Sequence, residues 1–220
     1  MRALIIGHTG GIGAALSANL RASGWQVIGV SRSTHGLDFC QPDSIEAAFA
    51  TIIGPFDLVV IATGQLDGAG APPEKSLKAV TAAAMADQFA VNTIGPAMIL
   101  RQLPRLLPKN SLSKVAVLTA RVGSIADNKM GGWYSYRAAK AALNQMVHTA
   151  AIELARSHKQ SCVIAYHPGT VATKFTTNYQ GTNKTVLPKV AAQNILRILE
   201  IVTPENTGKF YDWRGAEIPW

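Results

Sequence analysis

Short apolar runs alternate with longer amphipathic stretches along the first quarter of the chain. Ala3–Ile6 and Val27–Val30 are apolar runs of strand length, and Leu37–Phe39 indicates a further brief strand. Ala14–Ala22 and Ser44–Thr51 carry apolar residues at helical spacing. The pattern therefore predicts strands that alternate with helices from the first residues onward.

The same alternation continues through the rest of the chain. It predicts strands at Asp57–Ala62, Val115–Leu118 and Cys162–Tyr166, and helices at Thr81–Leu107 and Tyr136–Ala155. Gly95-Pro96 interrupts the first of these helices, so that stretch is either one helix bent there or two helices that meet. The polar stretch Asn178–Thr185 is typical of a mobile loop.

Six or seven strands that alternate with helices predict an α/β fold. Parallel neighbours need a connection long enough to hold a helix, so the expected architecture is a Rossmann-type, doubly wound parallel sheet with helices on both faces. A chain of 220 residues with 48% apolar content suits one domain over residues 1–220. Ligands of such sheets lie at the carboxyl ends of the strands.

Composition excludes several classes of protein. No signal-like segment and no apolar run of membrane-spanning length is present, so we expect a cytoplasmic protein without a membrane partner. Cys40 and Cys162 lie in apolar segments, which favours buried, reduced thiols over a disulfide or a metal site. The net charge is +8, but Lys and Arg are scattered, which favours a solvated basic surface over nucleic-acid binding.

A glycine-rich turn, GHTGGIG, joins the first predicted strand to the first helix. Exposed backbone N–H groups and the helix dipole favour a pyrophosphate at such a turn. Gly7 allows the tight turn, Gly11 allows close approach of phosphate, and Gly13 allows the helix to pack on the strand. The spacing G-x-x-x-G-x-G is by itself a weak signal, and a purely structural turn is the alternative.

The second predicted strand ends at Val30-Ser31-Arg32-Ser33. An acidic residue here would bind a ribose 2′-hydroxyl, whereas a basic residue accommodates a 2′-phosphate. Arg32 therefore favours NADP(H) over NAD(H). An exposed arginine without such a role is the alternative, since no second basic residue stands just before Gly11.

Tyr136 and Lys140 are four residues apart at the start of a predicted helix, so their side chains share one face. A nearby ammonium stabilises a phenolate, which lets Tyr136 protonate a carbonyl oxygen or remove an alcohol proton. Tyr134 has Ala138 at the same spacing and lacks this cation. Surface decoration is the alternative for an isolated Tyr-x-x-x-Lys.

Five motifs in this order resemble the short-chain dehydrogenase/reductase family across nearly the whole chain. They are GHTGGIG, IATG at Ile61–Gly64, Asn92 in VNTIGP, YSYRAAK at Tyr134–Lys140 and HPGTVAT at His167–Thr173. The stretch ARVGSIADNKMGGWYSYRAAKAALNQ and the ending GKFYDWRGAEIPW resemble the C-factor-like and sniffer-like carbonyl reductase branch.

The resemblance implies roles for individual residues. Asn92 would hold a water that links Lys140 to solvent, and Lys140 would also bind the nicotinamide ribose. The implied dinucleotide-binding residues are Gly7, Thr9, Gly11, Ile12 and Gly13 at the pyrophosphate, Arg32 and Asp38 with Ala62, Thr63 and Gly64 at the adenosine, and Pro168, Val171 and Thr173 at the carboxamide, together with Asn92, Tyr136 and Lys140.

Each of these roles has a structural alternative. Asp38 can simply end a strand, Asn92 can cap or bend a helix, and Pro168-Gly169 can be only a turn. The resemblance further implies a homodimer or homotetramer formed through the helices predicted at Thr81–Leu107 and Tyr136–Ala155.

One position departs from the family pattern. Members carry a Ser at the end of the strand before the catalytic helix, and alignment on Gly123 places Ala120 there. The missing hydrogen bond to the substrate oxygen must then come from Thr119, from Ser124, from a backbone N–H, or from nothing. Of the two hydroxyls, Ser124 is slightly favoured as a catalytic residue.

The sequence thus predicts an oxidoreductase that transfers hydride between a nicotinamide and a small-molecule carbonyl or secondary alcohol. Candidate substrate walls are Met130, Trp133, Tyr134 and the loop Phe175–Thr182, with core packing as their alternative. Because of Ala120, the rival hypothesis is a dinucleotide-binding regulatory or signalling protein with little turnover.

Overall fold

The apolar runs of the sequence pair side by side in one sheet. A computed structural model describes residues 1–179 and 185–220. Its strands are β1 Arg2–Ile6, β2 Gln26–Val30, β3 Leu58–Ile61, β4 Ser113–Leu118, β5 Ser161–His167 and β6 Phe210–Asp212. Within the described residues these six strands are all parallel and lie in the order β2-β1-β3-β4-β5-β6.

Helices cover both faces of the sheet. They are α1 Gly11–Ala22, α2 Arg32–His35, α3 Pro42–Ala50, α4 Ala82–Phe89, α5 Gly95–Leu100, α6 Leu103–Leu106, α7 Tyr134–Ser157 and α8 Pro188–Ile201. The predicted doubly wound α/β fold is confirmed. Among the described residues no helix has the length and apolarity that crossing a membrane requires.

Alternate side chains of each strand enter two separate cores. In β1, Leu4 and Ile6 pack with residues of α3, α5, α6 and α7. Ala3 and Ile5 pack on the other face with residues of α1 and α8. Full burial of one such aliphatic side chain stabilises the fold by roughly 1.5–3 kcal/mol.

The position of β1 in the sheet creates the ligand crevice. β2 pairs with one edge of β1 and β3 pairs with the other, so the chain reverses direction across the sheet at this point. The loops that leave the carboxyl ends of β1 and β3 therefore diverge to opposite faces and open a crevice between them. The glycine turn follows β1, and Ala62–Gly64 follow β3.

The brief strand predicted at Leu37–Phe39 is wrong. Gly36, at φ 62°, ends α2, and the next residues form no ladder. The backbone N–H of Asp38 donates to Ser44 Oγ at 2.8 Å, and Ser44 Oγ donates to the Asp38 carbonyl at 2.7 Å. A side chain thus satisfies the backbone groups that strand pairing would have used.

The predicted burial of both cysteine thiols is wrong for one of them. Cys162 is buried in β5, whereas Cys40 is exposed. The Cys40 N–H donates to Asp38 Oδ1 at 2.9 Å, which forms a surface turn just before α3. Among the described residues no group of His, Cys, Asp or Glu is arranged to hold a metal ion.

The stretch predicted as one bent helix or two helices is helical from Ala82 to Leu100, and the short α6 follows it. A π-helical segment, Ala90–Ile94, joins α4 to α5 just before Gly95. A Cβ atom on Gly95 would lie 2.2 Å from Phe39 Cγ, so the glycine admits this ring. The wider π turn carries Asn92, and such turns occur often at functional sites.

Candidate active site

The glycine turn is held so closely that side chains would not fit. A Cβ atom on Gly7, which has φ 83°, would lie 2.6 Å from the Ala62 carbonyl oxygen, and one on Gly13 would lie 2.2 Å from the Gly7 oxygen. A Cβ atom on Gly11 would lie 2.5 Å from Thr173 Cγ2. The turn thus joins the end of β1 to β3 on one side and to the segment after β5 on the other.

The amino end of α1 opens into this crevice without a cap. Gly10 occupies the N-cap position and makes no side-chain hydrogen bond, and the first turn of α1, which holds Ile12, carries no acidic residue. The first N–H groups of a helix need outside partners and favour an anion. Thr9 lies in the same turn.

Thr63 gives a second indication that a ligand fits here. Its Oγ1 is buried and has no hydrogen-bond partner among the described residues. Its methyl group would lie 3.0 Å from a Cβ atom on Gly7, so the orphan hydroxyl belongs to the wall of the glycine turn. A buried polar group without a partner costs about 1–3 kcal/mol, which a polar ligand can offset. These residues fit a dinucleotide.

The carboxyl end of β2 carries a hydroxyl that several polar side chains share. Thr34 Oγ1 lies 3.1 Å from His8 Nε2, 2.7 Å from His35 Nδ1 and 2.9 Å from Ser31 Oγ. The His8 ring covers Gly29, where a Cβ atom would lie 2.4 Å from its Cγ. Burial lowers the pKa of His8, and Arg21 and His35 lower it further.

Arg32 is exposed and begins α2 directly after β2, so three basic residues, Arg32, His8 and His35, lie near the carboxyl end of β2. Asp38 lies farther along, after α2, and its carboxylate accepts the Cys40 N–H. The sequence did not lead us to predict His8 as a site residue. The feature that could have indicated it is a titratable side chain inside a glycine-rich turn, next to a glycine in β2.

Tyr136 and Lys140 lie together on the first two turns of α7. Both are buried, with 5% and 3% of their surfaces exposed. Lys140 Nζ lies 5.8 Å from the centroid of the Tyr136 ring. Burial raises the pKa of Tyr136 well above its usual range and lowers the pKa of Lys140 to about 7. Each group alone is therefore driven toward its neutral form.

Asn92 meets Lys140 across Gly64. A Cβ atom on Gly64, which has φ 157°, would lie 3.0 Å from Asn92 Oδ1 and 3.4 Å from Lys140 Nζ. Asn92 Nδ2 donates to the Gln65 carbonyl at 2.8 Å and to Gln88 Oε1 at 2.6 Å, while its Oδ1 accepts the Gln65 N–H at 3.1 Å. The π turn, the loop after β3 and α7 thus converge on one point.

The structure shows how the two hydroxyls nearest the missing serine are used. Thr119 Oγ1 donates to Asn144 Oδ1 at 2.7 Å in the interior. Ser124 Oγ donates to the Pro219 carbonyl and accepts the Asp127 N–H at 3.1 Å. A hydroxyl has one donor hydrogen, so donation to a substrate would require either of these bonds to break. Ala120 lies one residue before the 3₁₀ turn Arg121–Gly123.

Aromatic rings surround the Tyr136 side of the crevice. The Trp133 ring lies 6.0 Å from the Tyr136 ring and 5.4 Å from the Tyr179 ring, and Phe175 lies 6.4 Å from Tyr136. Tyr134 is half-buried, while Met130 is 92% exposed. Of the loop proposed as a wall, residues 180–182 lie outside the described residues, as does most of the loop predicted to be mobile.

The HPG segment begins at His167, the last residue of β5. His167 Nδ1 is buried without a partner among the described residues, and burial lowers the pKa of His167 to about 4. Gly169, next to Pro168, has φ 77°, and a Cβ atom there would lie 3.0 Å from Trp213 Cδ1. Val171 is buried and bridges to Val186. The segment thus reaches Thr173 beside the glycine turn.

Comparison with known proteins agrees with this arrangement. The family model described as enoyl-(acyl carrier protein) reductase matches residues 7–213. The C-signal protein of Myxococcus xanthus is 33% identical over 175 residues, which cover 79% of this chain and 99% of that protein. The 1-hydroxy-2-glutathionyl-2-methyl-3-butene dehydrogenase of Rhodococcus sp. (strain AD45) is 35% identical over 133 residues, which cover 60% of this chain and 57% of that enzyme.

Solved structures share the fold over the whole chain. A short-chain dehydrogenase/reductase from Burkholderia multivorans with bound NADP has a TM-score of 0.83 at 24% identity and covers 100% of this chain and 99% of its own. The NADPH-bound carbonyl reductase from chicken fatty liver has a TM-score of 0.83 at 22% identity, with 100% and 98% covered. The resemblance stated from the motifs is confirmed, and the chain belongs to the short-chain dehydrogenase/reductase family of oxidoreductases.

Proposed function

We propose that the chain is an NADP(H)-preferring carbonyl reductase with Tyr136 as its acid/base. The observation that carries this proposal is the convergence of buried Tyr136 and Lys140 with Asn92 and Gly64 in the crevice opened by the glycine turn. A buried phenol beside a buried amine is costly to fold. Proton transfer to a carbonyl oxygen gives this pair a chemical role.

The cofactor proposal rests on the walls of the crevice. Gly7, Gly11 and Gly13 leave space for a pyrophosphate at the uncapped end of α1, and Thr63 offers a hydroxyl without a partner. The NADP-bound and NADPH-bound relatives of the same fold support a nicotinamide dinucleotide. When bound, this cofactor supplies the hydride. Its nicotinamide end is expected at Lys140 and at the backbone of Pro168, Val171 and Thr173.

Charge at the end of β2 supports NADP(H) over NAD(H). Arg32 is exposed there, and His8 and His35 share the Thr34 hydroxyl beside it. A ribose 2′-phosphate carries nearly two negative charges at neutral pH, and basic groups with hydroxyl donors bind such an anion. In this proposal Asp38 contributes to the adenine and not to the ribose.

The proposed proton path begins at the Tyr136 hydroxyl. As hydride reaches the carbonyl carbon, Tyr136 gives its proton to the carbonyl oxygen and becomes a phenolate. The ammonium of Lys140 stabilises that phenolate and offsets the burial that raises the pKa of Tyr136. Asn92, fixed by Gln65 and Gln88, keeps the polar path beside Lys140 ordered.

We further propose that neither Thr119 nor Ser124 donates to the substrate oxygen, so that Tyr136 acts without a helper hydroxyl at the position that the family fills with serine. Ala120 has none, and the donors of Thr119 and Ser124 already serve Asn144 and Pro219. Loss of one such donor typically slows chemistry by about a hundredfold or more. The expected enzyme is therefore slower than one with a serine at this position.

The test is oxidation of NADPH and of NADH at 340 nm against aldehydes, ketones and quinones. Tyr136→Phe should abolish turnover and leave the Kd for NADPH within about threefold, because only the proton donor is lost. Tyr134→Phe is the matched control, since it removes a neighbouring phenol that has Ala138 in place of a lysine. Equal rates for wild type and Tyr136→Phe would refute the assignment.

Three other outcomes would change the proposal. Tight NADPH binding without reduction of any carbonyl would favour the rival hypothesis of a regulatory or signalling protein. Failure to bind either dinucleotide would refute the cofactor assignment as well. Turnover with NADH equal to that with NADPH would be compatible with a carbonyl reductase but would refute the role of Arg32 in selecting NADP(H).

A further inference from the structure

A carboxylate from the loop after β3 holds the start of the catalytic helix. Glu74 Oε2 accepts the Ser135 N–H at 3.1 Å, and Glu74 Oε1 accepts the Ser135 hydroxyl. The Glu74 carbonyl oxygen also accepts the Trp133 N–H at 2.5 Å. Three bonds thus join one residue to the beginning of α7, which lies 61 residues later in the chain.

The helix lacks a cap of its own. Trp133 occupies the N-cap position in the left-handed region, at φ 55°, and makes no side-chain cap hydrogen bond. The first turn of α7 contains no acidic residue. The first N–H groups of a helix have no partner within it, and a carboxylate near them is favourable. Glu74 supplies this partner from a distant segment.

The carboxylate is shielded from water but remains in its charged form. Glu74 is 6% exposed. Burial acts to raise its pKa, yet the Ser135 hydroxyl, together with backbone N–H groups, holds the pKa below its usual range. Buried carboxylates are rare unless they are paired or hydrogen-bonded in this way.

Tyr136 follows Ser135 directly and lies in the same first turn. Glu74, Gln88, Ser135 and Tyr136 line one cavity of about 10 Å³, which has room for about one water molecule. Gln88 in turn accepts a hydrogen bond from Asn92. The anchor of the helix and the catalytic phenol are therefore immediate neighbours in a tightly packed region.

We propose that Glu74 is a positioning residue for the reaction: through Ser135 it fixes the first turn of α7 and so aims the Tyr136 hydroxyl at the substrate carbonyl. This inference rests on the proposed role of Tyr136 as acid/base. Proton transfer requires heavy-atom distances of about 2.6–3.2 Å, and a displacement of about 1 Å can slow an enzyme about a hundredfold.

Three substitutions separate the geometry of the anchor, its charge and its contact with the Ser135 hydroxyl. Glu74→Ala leaves the buried Ser135 N–H without a partner. Glu74→Gln keeps one acceptor for that N–H, and its amide can donate to the Ser135 oxygen, so the anchor survives without the charge. Ser135→Ala removes the hydroxyl contact but keeps the backbone contact.

The experiment measures kcat, the KM for the carbonyl and the Kd for NADPH in the full-length variants. Glu74→Ala should lower kcat by about tenfold to a hundredfold, with the KM and the Kd changed less than about threefold. Glu74→Gln should keep kcat within about threefold of wild type. Glu46→Ala is the matched control, because Glu46 lies on α3 and forms an exposed ion pair with Arg101.

Each other outcome overturns the proposal. A folded Glu74→Ala protein with wild-type kcat would do so, and so would a Glu74→Gln protein that loses as much kcat as Glu74→Ala. If Glu74→Ala does not fold, the other two variants still test the proposal. Glu74→Gln must keep kcat within about threefold of wild type, and Ser135→Ala must lower kcat by less than the roughly tenfold to hundredfold loss expected for removal of the whole anchor.

Hydrogen exchange distinguishes failure of this inference from failure of the proposed function. Amides 133–137 should exchange at least about tenfold faster in Glu74→Ala than in wild type, while Glu74→Gln stays protected. If wild type reduces no carbonyl, the proposed function fails and the exchange rates alone decide. Unchanged exchange in Glu74→Ala would then overturn the positioning role.

Discussion

Ser124 Oγ donates a hydrogen bond to the carbonyl oxygen of Pro219, 95 residues later in the chain. Ser124 Oγ itself accepts the Asp127 N–H, and Ser124 is 2% exposed. The next backbone contact, from Ala126 N–H to the Trp220 carbonyl, continues this attachment. The segment after β4 thus binds the last two residues of the chain through hydrogen bonds.

The first prediction follows from this contact. Ser124→Ala should lower the free energy of unfolding by about 1–3 kcal/mol, because the Asp127 N–H and the Pro219 carbonyl lose a buried partner. Since the hydroxyl is used inside the protein, kcat should change less than about threefold. Urea unfolding and the 340 nm assay measure the two effects. A loss of kcat of about a hundredfold without loss of stability would instead make Ser124 catalytic.

The second prediction concerns the position that the family fills with serine. Ala120→Ser adds a hydroxyl where a substrate oxygen is expected and should raise kcat about tenfold to a hundredfold. The Kd for NADPH should not change. Ala126→Ser, on an exposed residue of the same segment, is the control. An unchanged kcat in Ala120→Ser would show that a different group already donates to the oxygen.

The third prediction uses the burial of Lys140. Its pKa is lowered to about 7, whereas lysines in an unfolded chain titrate near about 10.4. Between these values the unfolded chain binds more protons, so this residue makes stability rise with pH. Lys140→Met should therefore stabilise the free protein at pH 7 by about 1–3 kcal/mol.

The same substitution should lower kcat by at least about a hundredfold, because the phenolate of Tyr136 loses its cation. The gain in stability should shrink by about pH 10, where the wild-type amine is neutral in the folded protein and partly neutral in the unfolded chain. Urea unfolding at pH 7 and pH 10 tests both statements. A Lys140→Met protein less stable than wild type at pH 7 would contradict the assigned cost of burial.

The fourth prediction concerns the basic side chains at the end of β2. Burial, Arg21 and His35 lower the pKa of His8. In the free protein this imidazole is therefore mostly neutral at any pH above its usual pKa. A bound 2′-phosphate favours the imidazolium. The affinity for 2′,5′-ADP relative to 5′-AMP should fall in wild type as pH rises from about 5.5 to 7.5.

His8→Ala should lose the part of this pH dependence that comes from the imidazole, while Arg32→Asp lowers the 2′,5′-ADP affinity at every pH. Calorimetric titration of the proteins with both nucleotides measures these affinities at each pH. Ionisation of the phosphate itself is common to wild type and His8→Ala, so the difference between them isolates His8. The same pH dependence in both proteins would exclude His8 from the 2′-phosphate site.

Local patterns in the sequence predicted much of the fold. Strand burial in β1, β3 and β4 follows from apolar runs, because strands covered on both faces need apolar residues at nearly every position. The pair Tyr136 and Lys140 was predictable because helical spacing alone places residues four apart on one face. β6 was missed, since a strand of three residues gives too short a pattern.

Contacts between distant segments could not be predicted. No local pattern pairs Glu74 with Ser135, and none pairs His8 with Thr34. Each of these bonds depends on where the sheet places two loops.

Local sequence is sufficient for the alternation of elements, for the glycine turn and for the placement of Tyr136 and Lys140 on one helix face. These properties depend on periodicity, backbone freedom and chemical type, which act over a few residues. The folded chain is needed to see that Ser124 bonds to Pro219, that Glu74 bonds to the start of α7, and that Asn92 and Lys140 meet across Gly64. Partners are set by packing, because a polar group buried by folding must bond to whatever the fold brings within reach.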